Sequence, residues 1–235
     1  MFYSLRTNLL TLIKKLAKTG KPIVYVNLSG SAIALNWIDK NVSAVVQGFY
    51  LGELTGTALM RLLFGDYSPS GRLPITFYRS VDDLPDFKDY AMDNRTYKYY
   101  KGEVLYPFGF GLSYADISYN NLVSSVTSEK QLTLSANVNN ASNFVADEVV
   151  QVYLSMPDAP VKTPIRQLVN FKHFTIPAKS KQKISIVIPA KKLTYVDNEG
   201  NIQPYIGRLQ ISLGSGQGIK LDSDKVLKTN ITIYE

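Results

Sequence analysis

The carboxylates that could do acid–base or nucleophilic work in this sequence are Glu53, in "LGELTGTALM", and the acids of 82–93, in "DDLPDFKDYAMD". Hydrolytic chemistry of that kind needs two carboxyl groups facing one another. Glu53 is expected to open a helix, where the helix dipole alone favours a carboxylate, and the sequence offers no obvious acid opposite it. The single histidine, His173 in "NFKHFTI", has neither a Ser–Asp pattern nor a second histidine around it and reads as a surface or strand-edge residue. Cysteine is absent, which removes disulfides, thiolate metal sites and cysteine nucleophiles. No cofactor and no metal are expected.

A second kind of chemistry is suggested by "FGDYSPSGRLPITFYRS", Phe64 to Ser80, with its glycines, serines and arginines. A phosphate loop places such a turn between a strand and the start of a helix, with Lys-Ser/Thr following. Here the order is helix, turn, strand. Gly65 is therefore expected to cap a helix and "SPSG" to reverse the chain. The better candidate for ligand contact is "SGSA" after the first apolar run, because ligands of open α/β sheets collect beyond the carboxyl ends of the strands. That selects Ser29 and Ser31. Trp37 and the tyrosines from Tyr97 to Tyr106 could stack on sugar rings, with packing at a junction between domains as the plainer role. Asn-x-Ser/Thr sequons occur at Asn27, Asn41, Asn94, Asn140 and Asn230, and the first closes a strand expected to be buried, so the matches carry little weight.

The elements that must position these residues change character along the chain. In "MFYSLRTNLLTLIKKLAKTG", Leu5, Leu9, Leu12, Ile13 and Leu16 repeat on one helical face. Lysines load the last turn and Gly20 and Pro22 stop it. This reads as a helix of a fold rather than a targeting peptide, with the chain starting inside a domain. "PIVYVNL", "SAVVQGFY" and "RLPITFY" read as strands of a parallel layer, separated by a short helix in "AIALNWIDKN" and a longer one in "ELTGTALMRLLFG". Three strands are few for such a layer, and the sheet looks incomplete.

Residues 81–115 lack a sustained period but carry seven aromatics from Tyr97 to Tyr114, the texture of an ordered excursion rather than a flexible linker. From about 118 onward "QLTLSANVNN", "DEVVQVYLSM", "KQKISIVI", "GRLQISLG" and "VLKTNITIY" repeat a short-strand pattern with turns between, predicting an antiparallel β-sandwich of about seven strands. The expected organisation is thus a partial α/β domain over 1–80, a connecting segment over 81–117 and an all-β sandwich over 118–235. The 235 residues carry a net charge of +7, spread over lysines after position 161 and in the first 21 residues. Without an Arg-rich block this is a solvated surface, and neither nucleic acid nor membrane is expected as a partner.

Taken in order, "KPIVYVNLSGSAIAL", "GFYLGELTGTALMRLLFGDYSPSGRLPITFYRSVDDLP", "RTYKYY" and "LYPFGFGLSY" resemble the second domain of glycoside hydrolase family 3, the β-glucosidase and β-xylosidase family. "EVVQVYLSMPDAPVKTPIRQLVNFKHFTIPAKSKQKISIVI" is similar to that family's C-terminal fibronectin-type-III-like domain. The run "DYAMDNRTYKYYKGEVLYPFGFGLSY" looks closer to the xylosidase-like members. The resemblance implies an α/β partial sandwich, with a truncated parallel sheet, followed by a fibronectin-type-III-like β-sandwich. It also implies a parent enzyme acting on terminal β-linked glucose or xylose in an oligosaccharide, periplasmic or extracellular if that parent is exported. The compartment itself stays open.

In the family the nucleophile is an aspartate of an N-terminal barrel, and the acid/base is usually a glutamate early in the second domain. Neither role maps onto a residue here, so the resemblance implies a chain inactive alone, with an N-terminal barrel fragment or a second copy as partner. Where the family often has Tyr-Pro-Gly this chain has Tyr50-Leu51-Gly52, and Thr55 replaces a usual glycine. Those changes sit in the loop nearest the family's cleft. Sugar contact is expected, weakly, from Ser29, Ser31, Tyr50 and Glu53. The alternative from another class is a non-catalytic carbohydrate-binding or accessory protein made of the same modules.

Overall fold

The computed structural model describes residues 2–234, and the chain divides into two compact units. The first comprises residues up to Tyr67, Ile75–Thr96 and Tyr100–Pro107; the second comprises Ser68–Pro74, Tyr97–Tyr99 and Phe108 onward.

In the first unit β1 (Phe2–Ser4) leads into α1 (Thr7–Ala17), then β2 (Val24–Asn27), β3 (Ala32–Ala34), α2 (Asn36–Asn41), β4 (Ala44–Gln47) and α3 (Thr55–Leu63). β1 pairs in parallel with β3, and β2 in parallel with β4, with Val24 opposite Ala44 and Asn27 opposite Gln47. Parallel pairing needs a crossover between the paired strands. Between β2 and β4 the chain supplies β3 and the one-and-a-half turns of α2. The amphipathic reading of α1 holds for its period but only in part for its burial: Ile13 is buried, while Leu12 and Leu16 remain about half exposed (53% and 47%).

The run "RLPITFY" does not make a third parallel strand. Only Phe77–Tyr78 is extended in a ladder (β5), and it pairs antiparallel with β6 (Val104–Tyr106). The reason lies upstream. Leu73 spends both backbone groups on the segment around Phe110, donating N–H to the Phe110 carbonyl at 2.9 Å and accepting from Gly109 N–H at 2.7 Å. Pro74 then has no N–H to offer a neighbouring strand. Between β5 and β6 the excursion is ordered by side chains. Asp83 and Ser80 close a reciprocal cap on the 3-10 turn Val81–Asp83, Asp86 and Asp89 each accept from the backbone N–H two residues on at 2.8 Å, and the Arg95 guanidinium donates to the carbonyls of Asp86 and Asp89 at 2.7 Å. The short helix α4 (Thr96–Tyr99) follows.

The second unit is an antiparallel sandwich. β8 (Leu132–Asn140) is flanked by β7 (Ile117–Val126) and β11 (Ser180–Ile188) in a three-stranded sheet; β10 (Gln167–Ile176), β9 (Ala146–Ser155), β14 (Gly207–Gly214) and β15 (Val226–Ile233) form a four-stranded one in that order. A small hairpin of β12 (Thr194–Val196) and β13 (Ile202–Pro204) sits beside them in sequence. Alternation places Leu132, Leu134, Ala136 and Val138 on the inner face, where they meet Val150, Val152, Leu154, Leu209 and Ile211 in one apolar cluster. His173 is exposed on β10, an edge strand, as its sequence context implied.

One charged pair is sealed inside this unit. Arg72 Nη2 donates to both carboxylate oxygens of Glu148 at 3.1 and 3.0 Å, with side chains 8% and 1% exposed. Tyr119 donates its hydroxyl to the same carboxylate at 2.8 Å, and Arg72 Nε donates to the Ser215 carbonyl at 3.1 Å. Every partner is satisfied, the condition under which a buried pair persists. Nearby, Gly109 has φ +77°, and a Cβ there would collide with the Gln151 amide and the Tyr153 hydroxyl. The Gln151 amide donates to the Gly109 carbonyl at 2.9 Å instead.

Candidate functional site

The loops that follow β2 and β4 lie at the carboxyl ends of two paired parallel strands, the usual place for ligand contact in such a layer. The register that sets Asn27 opposite Gln47 brings their side chains together: Asn27 Nδ2 donates to Gln47 Oε1 at 2.5 Å and to Ser29 Oγ at 2.8 Å. Ser29 Oγ in turn donates to the Ser31 carbonyl at 2.9 Å. Asn27 is only 4% exposed, so its amide serves this network and is no glycan acceptor. Beneath it Tyr25 donates to Asn27 Oδ1 at 3.4 Å, and burial pushes that phenol's pKa up. Gln47 Nε2 donates to the Ser29 hydroxyl as well, at 3.5 Å, so two amides and one backbone carbonyl hold that hydroxyl.

The second loop closes onto the first through glycines. A Cβ at Gly30 would lie 2.5 Å from the Tyr50 ring, so the ring rests against the Gly30 backbone and only glycine permits it. The other face of Tyr50 is open, the residue being 83% exposed. A Cβ at Gly48 would likewise meet Leu28 at 2.7 Å and Leu51 at 3.1 Å. Phe49 between them takes φ +53°. Of the four residues singled out, the structure thus brings Ser29, Ser31 and Tyr50 together.

Glu53 is placed differently from expectation. It stands exposed in a turn ahead of α3, which begins at Thr55 with Leu54 at its cap position, and the first turn of α3 holds no acid. No side chain caps this helix start; the Thr55 hydroxyl donates to the Gly52 carbonyl at 2.5 Å. The helix dipole is therefore not what holds Glu53. Among the other acids, Asp39 accepts from the Tyr106 hydroxyl at 2.6 Å, and burial followed by that hydrogen bond drives the Tyr106 phenol well above its ordinary value. The acids of 82–93 are used in turns, as described for Asp83, Asp86 and Asp89. Among the described residues no cluster of three or more histidine and carboxylate groups could hold a metal ion, and no helix is long and apolar enough to cross a membrane.

The stretch with two arginines is resolved by the same structure. Gly65, at φ +80°, follows the end of α3 and donates N–H to the Leu62 carbonyl at 3.2 Å, the expected helix stop. Arg72 is consumed by Glu148. What the sequence did not disclose was the Asn27–Gln47–Ser29 network; the signal for it was a polar residue at the end of each apolar strand run.

An α/β unit with hydroxyl and aromatic groups on its strand-end loops is joined in one chain to a seven-stranded antiparallel sandwich, which makes this a two-module protein. The profile described as "Glycosyl hydrolase family 3 C-terminal domain" matches residues 3–114, and that of a "Fibronectin type III-like domain" matches 148–217. The chain belongs to glycosyl hydrolase family 3 and corresponds to its C-terminal part. It is 35% identical, over 94% of its length, to a protein named xylan 1,4-beta-xylosidase from Xylanibacter ruminicola, of which it spans 25%. It is 32% identical, over 86% of its length, to a periplasmic beta-glucosidase from Salmonella typhimurium, of which it spans 28%. The crystal structure of a beta-glucosidase from Kluyveromyces marxianus superposes on 99% of the chain with a TM-score of 0.86 at 26% identity, the match covering 29% of that protein. The chain spans about a quarter of the length of these curated relatives.

Proposed function

We propose that this chain forms the C-terminal part of a glycosidase releasing terminal β-linked glucose or xylose, and that alone it supplies neither catalytic carboxylate. The observation that carries the reading is the similarity over nearly the whole chain to proteins named xylosidase and glucosidase, at a quarter of their length. Retaining hydrolysis needs a nucleophile and a proton donor about 5–5.5 Å apart across the scissile bond. In this reading those groups come from elsewhere in the complete enzyme. The first unit is then one portion of a larger parallel α/β sandwich. Its loops at Ser29–Ser31 and Tyr50–Glu53 form a lip of the sugar cleft, with the open Tyr50 face set against a ring and the two serines and Glu53 toward hydroxyls.

The test is an assay of the purified chain on aryl β-xylosides and β-glucosides, with Glu53→Gln run in parallel to expose contaminating glycosidase. The expected result is no turnover by either protein and weak, millimolar-range sugar binding reduced by Tyr50→Ala. Turnover that vanishes in Glu53→Gln would make Glu53 catalytic and overturn the reading.

A further inference from the structure

The excursion between β5 and α4 carries the two most exposed large hydrophobic side chains among the described residues. Phe87 and Tyr90 are 92% and 90% exposed, and Met92 beside them is half exposed. A lone exposed apolar residue is ordinary, but these lie close together and form one apolar patch. The chain that presents them is not slack. The cap between Ser80 and Asp83 fixes one end, and Thr96 N–H donates to the Tyr78 hydroxyl at 2.8 Å at the other. Between them Arg95 donates through Nη2 to the carbonyls of Asp86 and Asp89 and through Nε to that of Ala91 at 3.3 Å. Aromatic side chains on backbone that is already ordered lose little on docking.

The same segment is acidic. Residues 81–95 hold five aspartates against Lys88 and Arg95, in a chain whose net charge is +7. Asp86 precedes Phe87 and Asp89 precedes Tyr90. Each of these carboxylates accepts a backbone N–H at 2.8 Å, and neither has an ion-pair partner among the described residues. The patch is therefore aromatic at its centre and negative at its edge.

A surface of the opposite kind lies on α1. Ile13 is buried on its packed side, with Leu10 and Ala17 half-buried next to it. Turned away from that side, Leu9, Leu12 and Leu16 follow at i+3 and i+4 and are all exposed. Lys15 neighbours Leu12 one turn on, and Lys18 neighbours Lys15 in the same way. Neither lysine has a partner among the described residues; Lys14, by contrast, is engaged over the Trp37 ring at 5.6 Å and takes no part. A leucine stripe edged by two free cations matches, in apolar character and in charge, a loop whose aromatics are edged by two free carboxylates. Both surfaces are exposed in one copy, so they are not spent on each other. The strand β1, which leads into α1, lies against the 3-10 turn that opens the loop. The two surfaces thus start from one edge of the first unit, an arrangement two copies can exchange about a two-fold axis.

We propose that the first unit carries a self-recognition surface: the loop over residues 86–92 of one copy seats Phe87 and Tyr90 on the α1 leucine stripe of a second copy. Asp86 and Asp89 are then set toward Lys15 and Lys18, and the second copy returns the contact. The surface goes beyond the glycosidase reading and does not depend on it.

The experiment is sedimentation of the full chain over a concentration series, joined to cross-linking of the unaltered protein. A monomer–dimer equilibrium with a dissociation constant on the order of 10 μM is expected, weakening as salt is added. Phe87→Ser with Tyr90→Ser, both at exposed positions, should abolish the dimer over that range. Asp86→Asn with Asp89→Asn keeps an acceptor for each turn and removes only charge; it should weaken association about tenfold, as should Lys15→Gln with Lys18→Gln. The four changes together should cost little more than either pair, because the pairs act on one contact. In a mixture of isotope-labelled and unlabelled chains, a zero-length carbodiimide should join Lys15 or Lys18 of one copy to Asp86 or Asp89 of the other. A monomer throughout, a dimer indifferent to the aromatic pair, fully additive charge effects, cross-links confined to other residues, or growth into open-ended polymers would each overturn the proposal.

Discussion

Arg72 shows how one residue in a turn can decide the stability of a distant element. Its guanidinium meets Glu148 76 positions on, and both are buried. Removing one partner leaves the other charge buried without compensation, which costs about 3–5 kcal/mol. Arg72→Ala is therefore expected to lower the melting temperature of the sandwich transition by several degrees, whereas Arg72→Met with Glu148→Leu together should restore much of it; a single variant melting with the parent protein would sink the assignment. Tyr119 adds a pH dependence. Burial, and then the Glu148 charge, push its phenol well above the ordinary value. An unfolded tyrosine ionises near pH 10, so the unfolded chain gives up this proton before the folded one does. Stability from Tyr119 is thus fully present below about pH 10 and falls as pH rises beyond it. Thermal melts between about pH 8 and about pH 11 should show that decline, and phenolate absorbance at the higher pH should grow in with unfolding; a flat profile would count against it.

At the scale of elements, period and turn chemistry were legible where one face of a strand is buried. β8 alternates without a break from Leu132 to Asn140, so the inner and outer positions respond differently to truncation. Leu134→Ala, at 0% exposure, should cost about 2–5 kcal/mol, and Thr133→Ala within about 0.5 kcal/mol, by chemical denaturation of the sandwich. Equal costs would mean a different register. β5 was misjudged for a physical reason: "RLPITFY" has the composition of a buried strand, but its first residues are bonded to the segment at 109–110. Strand pairing is non-local, and no window of residues carries it. Glu53 was misplaced by two residues at a helix start, since α3 begins only at Thr55 and no side-chain cap marks its first turn.

At the scale of the molecule the two units differ in core. The sandwich encloses one continuous buried apolar cluster, while the described core of the first unit is limited to residues such as Ile13, Leu35, Ile38, Phe77 and Leu105. Backbone that buries little apolar surface opens more readily. Limited proteolysis should therefore remove the first 67 residues before it cuts the strands from β7 to β15, with mass spectrometry identifying the surviving fragment; earlier loss of the sandwich would reverse the ranking. The first unit also exposes Leu12 and Leu16 on α1, Met60 on α3 and Phe64 at its end, apolar side chains that a partner surface could cover. Sedimentation is expected to show concentration-dependent association, reduced by Leu12→Lys with Phe64→Lys, and a clean monomer at high concentration would refute it.

The amino-acid sequence by itself determined the α/β part ahead of the antiparallel sandwich, the strands whose alternation faces a core, the helix stop at Gly65 and the family to which the chain belongs. Each of these is written in local pattern, because a side chain's face, a positive φ or a run of motifs depends on neighbours within a few residues. Tertiary structure alone decided that Asn27 would meet Gln47 and hold Ser29, that Tyr50 would lie on Gly30, and that Arg72 would be sealed against Glu148. Most of those partners are separated by twenty residues or more, and it is the register of the strands and the closure of the loops, set by which surfaces can be buried together, that brings them into contact.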